Sequence, residues 1–414
     1  MLSVRKDILS LTALMIRLWA RPARGVRCRQ LSVSGRVLRT EPPVIVRMKE
    51  LMEGKSDVLS LAQGIVHWEP PADAIAACAA GLSSSHAYQP AEGLPALREA
   101  LRRKIRDENG LSRSEIMVTA GANQAYANLV IALLDSGDRA ALLTPYYFNH
   151  LMALQMTGCE PIFASTTPEL LPDVAALERE AFDREDPARM VTLVNPGNPT
   201  GVTIPREILE AVSDLCARRG AWLVLDNTYE HFAWGLPHDV IEGDHVVNIF
   251  SFSKAFGMMG WRVGYLAYPP ALGPEILKVQ DTVVICPTAA SQLVALGALE
   301  AAGRPWVSRK LLTLEEPKRL VRDALVDALG VSSVRGGSGA IYLLGSLPDG
   351  APDDERIAER LITEFGVATV PGSACGAPGT IRVCYANLPI DDVREAARRL
   401  SVGLRTIVGE ETIR

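Results

Sequence analysis

The sequence lacks the cysteine and histidine patterns of metal sites and disulfide-stapled scaffolds. Its 7 cysteines are odd in number and scattered, without a Cys-x-x-Cys pair, and its 6 histidines form no His-Glu-x-x-His group. Aromatic residues are scarce, at 6% of the 414 residues, but 48% of the chain is hydrophobic and can fill a sizeable core. We therefore expect a globular protein of a reducing compartment, with no bound metal.

Long hydrophobic runs are missing as well, and so is a Gly-x-Gly-x-x-Gly turn after a first strand. The longest apolar run near the N-terminus, residues 8–16, ends at Arg17, far short of the ~20 residues that a membrane-spanning helix requires. A later basic run at 98–106 contains Glu99 and is followed by two acidic residues. These absences argue against a membrane, a nucleic acid or a dinucleotide as a partner.

The first 40 residues differ in charge from the rest of the chain. They carry nine Lys or Arg residues against Asp7 alone, a net charge of +8, so the remaining residues carry −13 of the overall −5. An Arg-rich, acid-poor leader is typical of an organellar transit peptide. We predict a mitochondrial or other organellar location. The alternative is a disordered leader on a cytoplasmic protein.

Short apolar strands alternate with helices through the middle of the chain, which indicates a mostly parallel sheet covered on both faces. The strands are predicted at 115–120, 140–144, 190–194, 221–226 and 246–252. A helical stretch at 274–302 and a long helix at 310–329 follow, and then strands at 340–347, 367–370 and 381–386 suggest a smaller α+β domain. We predict an α/β fold with a leader (1–40), an N-terminal segment contributing to the small domain (41–75), a large domain (76–304) and a small C-terminal domain (305–414).

A lysine, an aspartate and a tyrosine fall where one cofactor would need them. Asp226 ends an apolar strand, Tyr229 comes three residues later, and Lys254 follows the next strand. The carboxyl ends of parallel strands form the ligand-binding edge of open α/β sheets. Pyridoxal phosphate needs an amine for its aldehyde and an anion at its ring nitrogen, so that the ring can accept electrons. Lys254, Asp226 and Tyr229 are therefore the candidate catalytic residues, and the large domain is predicted to bind this cofactor.

Two loops at the same sheet edge supply further polar groups. Residues 195–201, Asn-Pro-Gly-Asn-Pro-Thr-Gly, form a turn whose asparagine amides can hydrogen-bond a ring oxygen. Residues 119–124 lead from a strand into a helix, and backbone N–H groups at a helix start bind anions. Ala122 and Asn123, next to Gly121, are therefore candidates for binding a phosphate.

These motifs resemble those of the aspartate-aminotransferase superfamily, the fold-type I pyridoxal-phosphate enzymes, from about residue 42 to the C-terminus. Ser251, Lys254 and Arg262 match the family's Ser-x-x-Lys and the arginine eight residues beyond, and Asp226 and Tyr229 match its Asp-x-x-Tyr. The resemblance implies a large domain with a seven-stranded type of sheet and a smaller α+β domain. It also implies the cofactor-binding residues Gly121, Ala122, Asn123, Tyr147, His150, Asn198, Asp226, Tyr229, Ser251, Ser253, Lys254, Arg262 and Tyr88.

The resemblance assigns individual roles to several of these residues. Tyr147 would stack on the cofactor ring and His150 would support Asp226. Tyr229 would hydrogen-bond the ring oxygen, which Asn198 would also reach. Arg382 would grip the substrate's α-carboxylate through a bidentate fork, which lysine cannot reproduce.

The resemblance also concerns the substrate entrance and a second subunit. Gly64 lies where the family's N-terminal segment closes over the substrate. Tyr88 matches the tyrosine that reaches the phosphate of the neighbouring subunit, which implies a homodimer with shared active sites.

Within the superfamily, the motifs are most similar to a plant group of methionine and aromatic aminotransferases. Residues 281–287, which correspond to the family segment supplied by the partner, contain no arginine for a second substrate carboxylate. An unpaired carboxylate would be costly beside Val284 and Ile285, so we expect these residues to bind an apolar substrate side chain. The predicted reaction moves an amino group between methionine, tryptophan, tyrosine or phenylalanine and a 2-oxo acid, with ping-pong kinetics.

Several alternatives remain open at this point. The same cofactor set serves C–S lyases, decarboxylases and cyclopropane-forming synthases, and an aspartate-preferring transaminase is a further possibility. His67 and Trp68 could line the substrate entrance or anchor the N-terminal segment. Tyr342 could border the pocket, although a strand tyrosine more often belongs to the core.

Overall fold

The computed structural model describes residues 32–81 and 86–412. The strands are β1 (Leu59–Ser60), β2 (Glu115–Thr119), β3 (Arg139–Leu143), β4 (Glu160–Ala164), β5 (Met190–Val194), β6 (Trp222–Asp226), β7 (Val246–Ser251), β8 (Gly264–Tyr268), β9 (Val334–Gly336), β10 (Tyr342–Ser346), β11 (Val367–Ala368), β12 (Val370–Pro371) and β13 (Thr380–Cys384). The helices are α1 (Gly35–Leu38), α2 (Val44–Met52), α3 (Ala72–Gly81), α4 (Pro95–Asn109), α5 (Ala122–Leu133), α6 (Phe148–Thr157), α7 (Val174–Leu177), α8 (Arg206–Arg219), α9 (Gly273–Val284), α10 (Ala289–Gly297), α11 (Gly303–Leu312), α12 (Glu315–Leu329), α13 (Asp354–Phe365) and α14 (Ile390–Thr412).

The chain divides into two units, residues 1–38 and 39–414. Most of the first unit, residues 1–31, lies outside the described residues, and so does most of the predicted transit peptide. Its described part is the single turn α1, in which the Leu38 N–H donates to the Ser34 carbonyl at 3.1 Å. The organellar location stays a prediction.

A seven-stranded sheet carries the larger part of the second unit. Its strand order is β2-β8-β7-β6-β5-β3-β4, in which β8 runs antiparallel to both of its neighbours and the other pairs are parallel. The α/β class with a mostly parallel sheet, predicted from the sequence, is confirmed. The sequence reading did not identify β4 and β8. Strand β4 lies at the edge of the sheet with Glu160 and Phe163 exposed, and so lacks a continuous apolar pattern.

Burial explains where the central strands run and end. All six residues of β7 are buried, as are the last four of β6, and strands that are covered on both faces read as continuous apolar runs. The polar residue Asp226 comes only at the carboxyl end of β6. Helix α4 begins with Pro95 in its first turn and ends at Gly110, whose φ of 71° suits a left-handed C-cap.

The C-terminal residues form a separate antiparallel sheet with the order β12-β13-β10-β9. The strand predicted at 367–370 is two strands in different sheets, because β12 pairs with β13 whereas β11 pairs in parallel with β1. Through this pairing Leu59 lies opposite Val367, so the N-terminal segment is tied to the C-terminal region. The boundaries 75/76 and 304/305 stay predictions.

Two predicted helical stretches are interrupted. The stretch 274–302 breaks after α9, where Ile285 adopts a left-handed φ of 63°, a conformation that ends a helix. The helix predicted at 310–329 is split between α11 and α12. Within the described ranges, no single helix combines the length and hydropathy of a membrane span, although the bent pair Pro270–Val284 and Ala289–Leu329 meets those criteria jointly.

Candidate active site

A cavity of about 400 Å³ opens at the carboxyl ends of β5, β6 and β7. The strand-terminal residues Val194, Asp226 and Ser251 line it together with Lys254. This is the edge at which open α/β sheets bind ligands. The cavity is also lined by Pro43, Ile45, Val46, Gln63, Gly64, Ile65, Ala122, Asn123, Tyr147, Phe148, Asn149, Asn198, Thr228, Tyr229, Ser253, Met259, Arg262, Tyr342 and Arg382.

Both carboxylate oxygens of Asp226 are held by neighbouring groups. His150 Nε2 lies 3.1 Å from Oδ2, while the N–H and the hydroxyl of Thr228 donate to Oδ1 at 3.0 and 2.6 Å. Asp226 is only 4% exposed. Because a buried carboxylate needs such partners, this set fixes its orientation at the cavity wall.

Lys254 reaches the same cavity from the loop that follows β7. Its Nζ donates a hydrogen bond to the Gly64 carbonyl. Loss of solvation on burial, with further lowering by Arg262 and Arg382, brings the pKa of the amine down to about 8. At pH 7 the neutral fraction of such an amine is roughly 300-fold larger than that of an ordinary lysine, and the neutral amine is the nucleophile.

Anion-binding groups collect at the start of α5. Gly121, with φ of 84°, caps this helix, and its first residue Ala122 lines the cavity. A Cβ at position 121 would stand 2.3 Å from Nη2 of Arg262, so glycine is required for the guanidinium to approach the helix start. Ser251 and Ser253 line the cavity too, and the Ser253 N–H donates to Ser251 Oγ at 3.1 Å. Helix N–H groups, hydroxyls and a guanidinium together suit a phosphate.

Arg382 is buried, at 1% exposure, and pairs with no carboxylate in the described part of the chain. Its Nη1 donates to Asn198 Oδ1 at 2.9 Å and its Nη2 to the Ala62 carbonyl at 2.8 Å, whereas its Nε has no hydrogen-bond partner there. Burying a cation without a counter-ion is costly. The arrangement therefore favours an anionic ligand group at Arg382.

Three tyrosines complete the cavity wall. The Tyr229 and Tyr342 hydroxyl oxygens lie 2.6 Å apart, and burial raises the pKa of Tyr229 well above its ordinary value. The Tyr147 hydroxyl donates to Asn123 Oδ1 at 3.4 Å and accepts from Asn149 Nδ2 at 2.9 Å. Tyr147 also packs edge-on against the imidazole of His150, with ring centroids 5.2 Å apart. Burial raises the pKa of all three tyrosines, so their hydroxyls are neutral.

The structure does not bring every predicted site residue to this cavity. Tyr88, 81% exposed, and Val284 and Ile285, at the end of α9, are absent from its lining within the described chain. For these three residues the family resemblance implies a role across a subunit interface. Gly121 and His150 are also absent from the lining, but Gly121 caps α5 beside Ala122 and His150 contacts Asp226.

His67 and Trp68 anchor the N-terminal segment instead of lining the cavity. The His67 N–H donates to the Ala386 carbonyl at 2.9 Å, and Trp68 stacks on Phe232 with ring centroids 6.4 Å apart. Neither residue is part of the cavity wall. The entrance role that the sequence left open for them has no support in these contacts.

Sequence reasoning missed several residues of the site. Thr228 could have been found, since a hydroxyl two residues after an aspartate commonly bonds its carboxylate locally. Ile45 and Val46 of α2, and Phe148 of α6, carry no such signal, because only the tertiary fold brings them to the cavity. Tyr342, left open from the sequence, is both buried and part of the cavity wall.

The fold and the site define an enzyme class in which a lysine, a strand-end aspartate and a buried arginine share one cavity. A family model, "Aminotransferase class I and II", matches residues 56–400. The chain belongs to this family, and it is an aminotransferase. Family members generally depend on pyridoxal phosphate.

Similar proteins cover nearly the whole chain. The protein named Aromatic aminotransferase ISS1 of Arabidopsis thaliana is 44% identical over 384 residues, covering 91% of this chain and 97% of its own length. An aspartate/prephenate aminotransferase of Thermus thermophilus is 34% identical over 389 residues, covering 90% and 98%. The solved structure of the Thermus thermophilus aspartate aminotransferase with maleate has a TM-score of 0.84 at 31% identity, covering 90% of this chain and 100% of that one.

The residues present fit pyridoxal phosphate. The cavity holds an amine of lowered pKa at Lys254, a fixed buried carboxylate at Asp226 and an anion-binding helix start beside Arg262. These groups correspond to the aldehyde, the ring nitrogen and the phosphate of this cofactor. Among the described residues, no group of three or more His, Cys, Asp or Glu side chains could hold a metal ion.

Proposed function

We propose that this aminotransferase binds pyridoxal phosphate and moves an amino group between an apolar or aromatic amino acid and a 2-oxo acid. The observation that carries the proposal is a buried arginine without a carboxylate partner, Arg382, on the same cavity as Lys254 and Asp226. An amino acid or a 2-oxo acid supplies the missing carboxylate. Its reacting Cα then lies in the cavity that also contains the lysine.

The cofactor-holding residues divide by the part of the cofactor they would bind. Asp226, fixed by His150 and Thr228, would hold the proton on the ring nitrogen. The α5 start, with Ser251, Ser253 and Arg262, would hold the phosphate. When bound, pyridoxal phosphate supplies an aldehyde for amines and a ring that accepts the electrons of the substrate Cα–H bond.

Lys254 is the proton carrier in this proposal. Since the pKa of its amine is about 8, it is partly neutral near pH 7 and can take a proton from the substrate Cα. The Nζ ammonium formed in this way would hold the proton in the cavity and could release it again, as a proton shuttle requires. Amino acid and 2-oxo acid occupy the cavity in turn, so the kinetics are expected to be ping-pong.

Arg382 orients the substrate by one carboxylate. Asn198 and the Ala62 carbonyl accept one hydrogen each from Nη1 and Nη2, so the second hydrogen of each nitrogen and the Nε hydrogen remain for an anion. A guanidinium held in this way gives a directional fork, which fixes the Cα–H bond relative to the cavity.

The remaining wall favours apolar substrate side chains. Ile45 and Val46 of α2 and Phe148 of α6 contribute apolar surface to the cavity. Among the described residues, the arginines that line it are Arg262 and Arg382, both assigned to other anions. A second substrate carboxylate would have no guanidinium of this chain as a partner, and leaving it unpaired would be costly. The similar Arabidopsis protein is named an aromatic aminotransferase, which also supports an apolar or aromatic substrate side chain.

A second candidate is an aspartate-preferring aminotransferase. The 34% identical Thermus thermophilus relative is named an aspartate/prephenate aminotransferase. In such an enzyme the second carboxylate would be bound by groups outside the cavity wall described above.

A matrix of amino donors against 2-oxo acceptors separates the two candidates. Methionine, tryptophan, tyrosine, phenylalanine, aspartate and alanine are each assayed against indolic, phenolic and dicarboxylic 2-oxo acids. The proposal expects kcat/KM for the aromatic donors and methionine to exceed that for aspartate by at least about tenfold, because an unpaired carboxylate costs more than 1.4 kcal/mol. Aspartate as the best donor would overturn the proposed substrate class and favour the second candidate.

We also propose that a second copy of the chain completes the site. Tyr88 and Ile285 are exposed on one protomer, at 81% and 46%, and the family resemblance gives both segments a role in the neighbouring active site. Mixing inactive Lys254→Ala chains with impaired Tyr88→Ala chains tests this. Shared sites predict that hybrids regain activity, because one site in each hybrid has an intact lysine and an intact partner tyrosine. Sedimentation as a monomer at assay concentrations, or no recovery in verified hybrids, would contradict it.

A further inference from the structure

Tyr342 contacts three groups around the cavity. Its hydroxyl oxygen lies 2.6 Å from that of Tyr229, and its ring lies under the Arg382 guanidinium, with the carbon of that group 4.5 Å from the ring centroid. A Cβ at position 64 would stand 1.9 Å from the Tyr342 hydroxyl, so the tyrosine also requires glycine there. Tyr342 is 1% exposed. One side chain therefore connects Tyr229, which the family resemblance places at the cofactor's ring oxygen, with Arg382, which the proposed function assigns to the substrate carboxylate.

Either hydroxyl of the pair could be the donor, and a ligand in the cavity would select one direction. Within the described residues, each hydroxyl has the other as its hydrogen-bond partner. Tyr229 can donate to a ligand in the cavity only if it accepts from Tyr342. When Tyr342 donates, its own bond is satisfied and the Tyr229 hydroxyl becomes a stronger donor, since chained hydrogen bonds polarise one another.

The ring of Tyr342 acts on a different group. It covers one face of the Arg382 guanidinium, and the Phe148 ring lies 5.7 Å from the same carbon. A desolvated guanidinium over an aromatic face is stabilised and confined to one plane. The plane of the carboxylate-binding fork is therefore set in part by the Tyr342 ring.

We propose that Tyr342 is a positioning residue with two separable functions: its hydroxyl directs the Tyr229 hydroxyl towards the cofactor's ring oxygen, and its ring holds Arg382 for the substrate carboxylate. This inference rests on the proposed function and deepens it. A packing role alone would not separate the two functions. Here the hydroxyl should affect the cofactor's absorbance and Kd, and the ring should affect KM for the substrate.

The hydroxyl is tested by Tyr342→Phe in the cofactor-loaded protein. A hydrogen bond to an anionic oxygen favours its charged form, so a weaker Tyr229 donor should move the pH midpoint of the bound cofactor's visible absorbance change upward. We expect a rise of about 0.3 pH units and a roughly twofold weaker cofactor Kd, from a partial loss of one polarised bond. KM for amino acids should stay near the wild-type value because the ring remains.

Tyr385→Phe is the matched control. Tyr385 is another buried tyrosine, but its hydroxyl donates to the Ala340 carbonyl at 2.8 Å and does not line the cavity. This variant should leave the absorbance midpoint and Kd unchanged. The double variant Tyr229→Phe with Tyr342→Phe should match Tyr229→Phe alone, because Tyr342 acts through Tyr229.

The ring is tested by Tyr342→Met, which keeps much of the side-chain volume. Without the aromatic face, KM should rise roughly tenfold for every amino donor, whatever its side chain, while kcat changes less. If this variant does not fold, Tyr342→His keeps a smaller ring and should give a smaller rise in KM.

The outcomes separate this inference from the proposed function. If the wild-type protein binds no pyridoxal phosphate and shows no visible band, the proposed function fails. If the wild type binds it but Tyr342→Phe keeps the wild-type midpoint, or shifts it no more than Tyr385→Phe does, the hydroxyl function is overturned. Unchanged KM in the folded ring variants overturns the function assigned to the ring.

Discussion

Two buried cations show how this fold treats charge in two different places. Lys104, on α4, is 9% exposed and pairs with Glu230 and with Asn109 Oδ1, the latter at 2.8 Å. Arg382, on β13, is 1% exposed and has only neutral oxygens as partners among the described residues. The first charge is neutralised within the protein, and the second is not. An uncompensated buried charge indicates a ligand, whereas a compensated one indicates structure.

The carboxylates of Glu230 and Asp226 also differ in whether a cation of the protein pairs with them. Burial would raise the pKa of Glu230, but Lys104 and the neighbouring histidines outweigh it and lower that pKa to about 2. Asp226, four residues earlier, has a histidine and a threonine as partners and lines the cavity. Lys254 is a third case, since its amine avoids the cost of burial by losing its proton readily.

The largest expected effect is the loss of Lys254. Lys254→Ala should lower kcat by roughly 10⁴-fold, because general acid–base transfer at Cα is lost together with the amine that binds the aldehyde. The measurement is steady-state turnover with the best donor found. Lys278→Ala, at an exposed lysine paired with Glu275, is the control and should turn over normally. Comparable losses in both variants would contradict the account.

Next comes the uncompensated arginine. Arg382→Lys keeps the charge but loses the fork, so kcat/KM should fall by about 10²-fold, equivalent to one or two charge-assisted hydrogen bonds. Unfolding experiments should show a smaller loss of stability than Lys104→Met causes, since two hydrogen bonds to neutral oxygens but no internal ion pair are affected. Arg319→Lys, in an exposed pair with Asp323, serves as the reference. Equal kcat/KM values for Arg382→Lys and Arg319→Lys would contradict the assignment of Arg382 to a ligand.

Disrupting the ion pair of Lys104 with Glu230 should lower stability and leave catalysis unchanged. Lys104→Met leaves the Glu230 carboxylate buried without its cation and should cost about 3 kcal/mol of unfolding free energy. The kcat/KM of the folded fraction should be unchanged. Adding Glu230→Gln should restore part of the stability in a double-mutant cycle. A kinetic defect in well-folded Lys104→Met would show that this cluster also serves catalysis.

The smallest predicted effect is a pH dependence of stability near the Lys104 cluster. Burial lowers the pKa of His231 to about 4 from 6.5, so the unfolded chain binds this proton first as the pH falls. Stability should therefore drop between pH 6.5 and 5, by about 1–2 kcal/mol from this group.

Glu230 does not explain a drop in that window, because its contribution to stability is lost only between its unfolded pKa of 4.5 and its folded pKa of about 2. Burial also lowers the pKa of His238, which should contribute in the same direction. Urea unfolding of the wild type and of His231→Asn at the two pH values measures the effect. A wild-type stability that is flat over this range, or a slope unaltered in His231→Asn, would contradict it.

Local patterns predicted much of the fold and only part of the site. The strands that end at Asp226 and Ser251 are mostly apolar, with Asn248 as the polar residue inside β7, so both the α/β class and the functional sheet edge follow from sequence. Strand β8 was not predicted, although Gly264 begins it and Pro269 and Pro270 follow it, because so short an apolar run can equally belong to a buried helix.

Contacts distant in sequence account for the rest. The Tyr229–Tyr342 pair joins residues 113 positions apart, and Arg382 reaches Ala62 across 320. No periodicity encodes such partners. The contrast between Arg382 and Lys104 was equally invisible, because whether a charge is compensated depends on the neighbours that folding supplies.

The most direct test of the account is to locate the cofactor bond. The purified protein is loaded with pyridoxal phosphate, reduced with borohydride, digested and analysed by mass spectrometry. The account predicts a visible absorbance band before reduction and a reduced pyridoxyl adduct on the peptide that contains Lys254. A colourless protein, or an adduct fixed on another lysine with Lys254 unmodified, would contradict it.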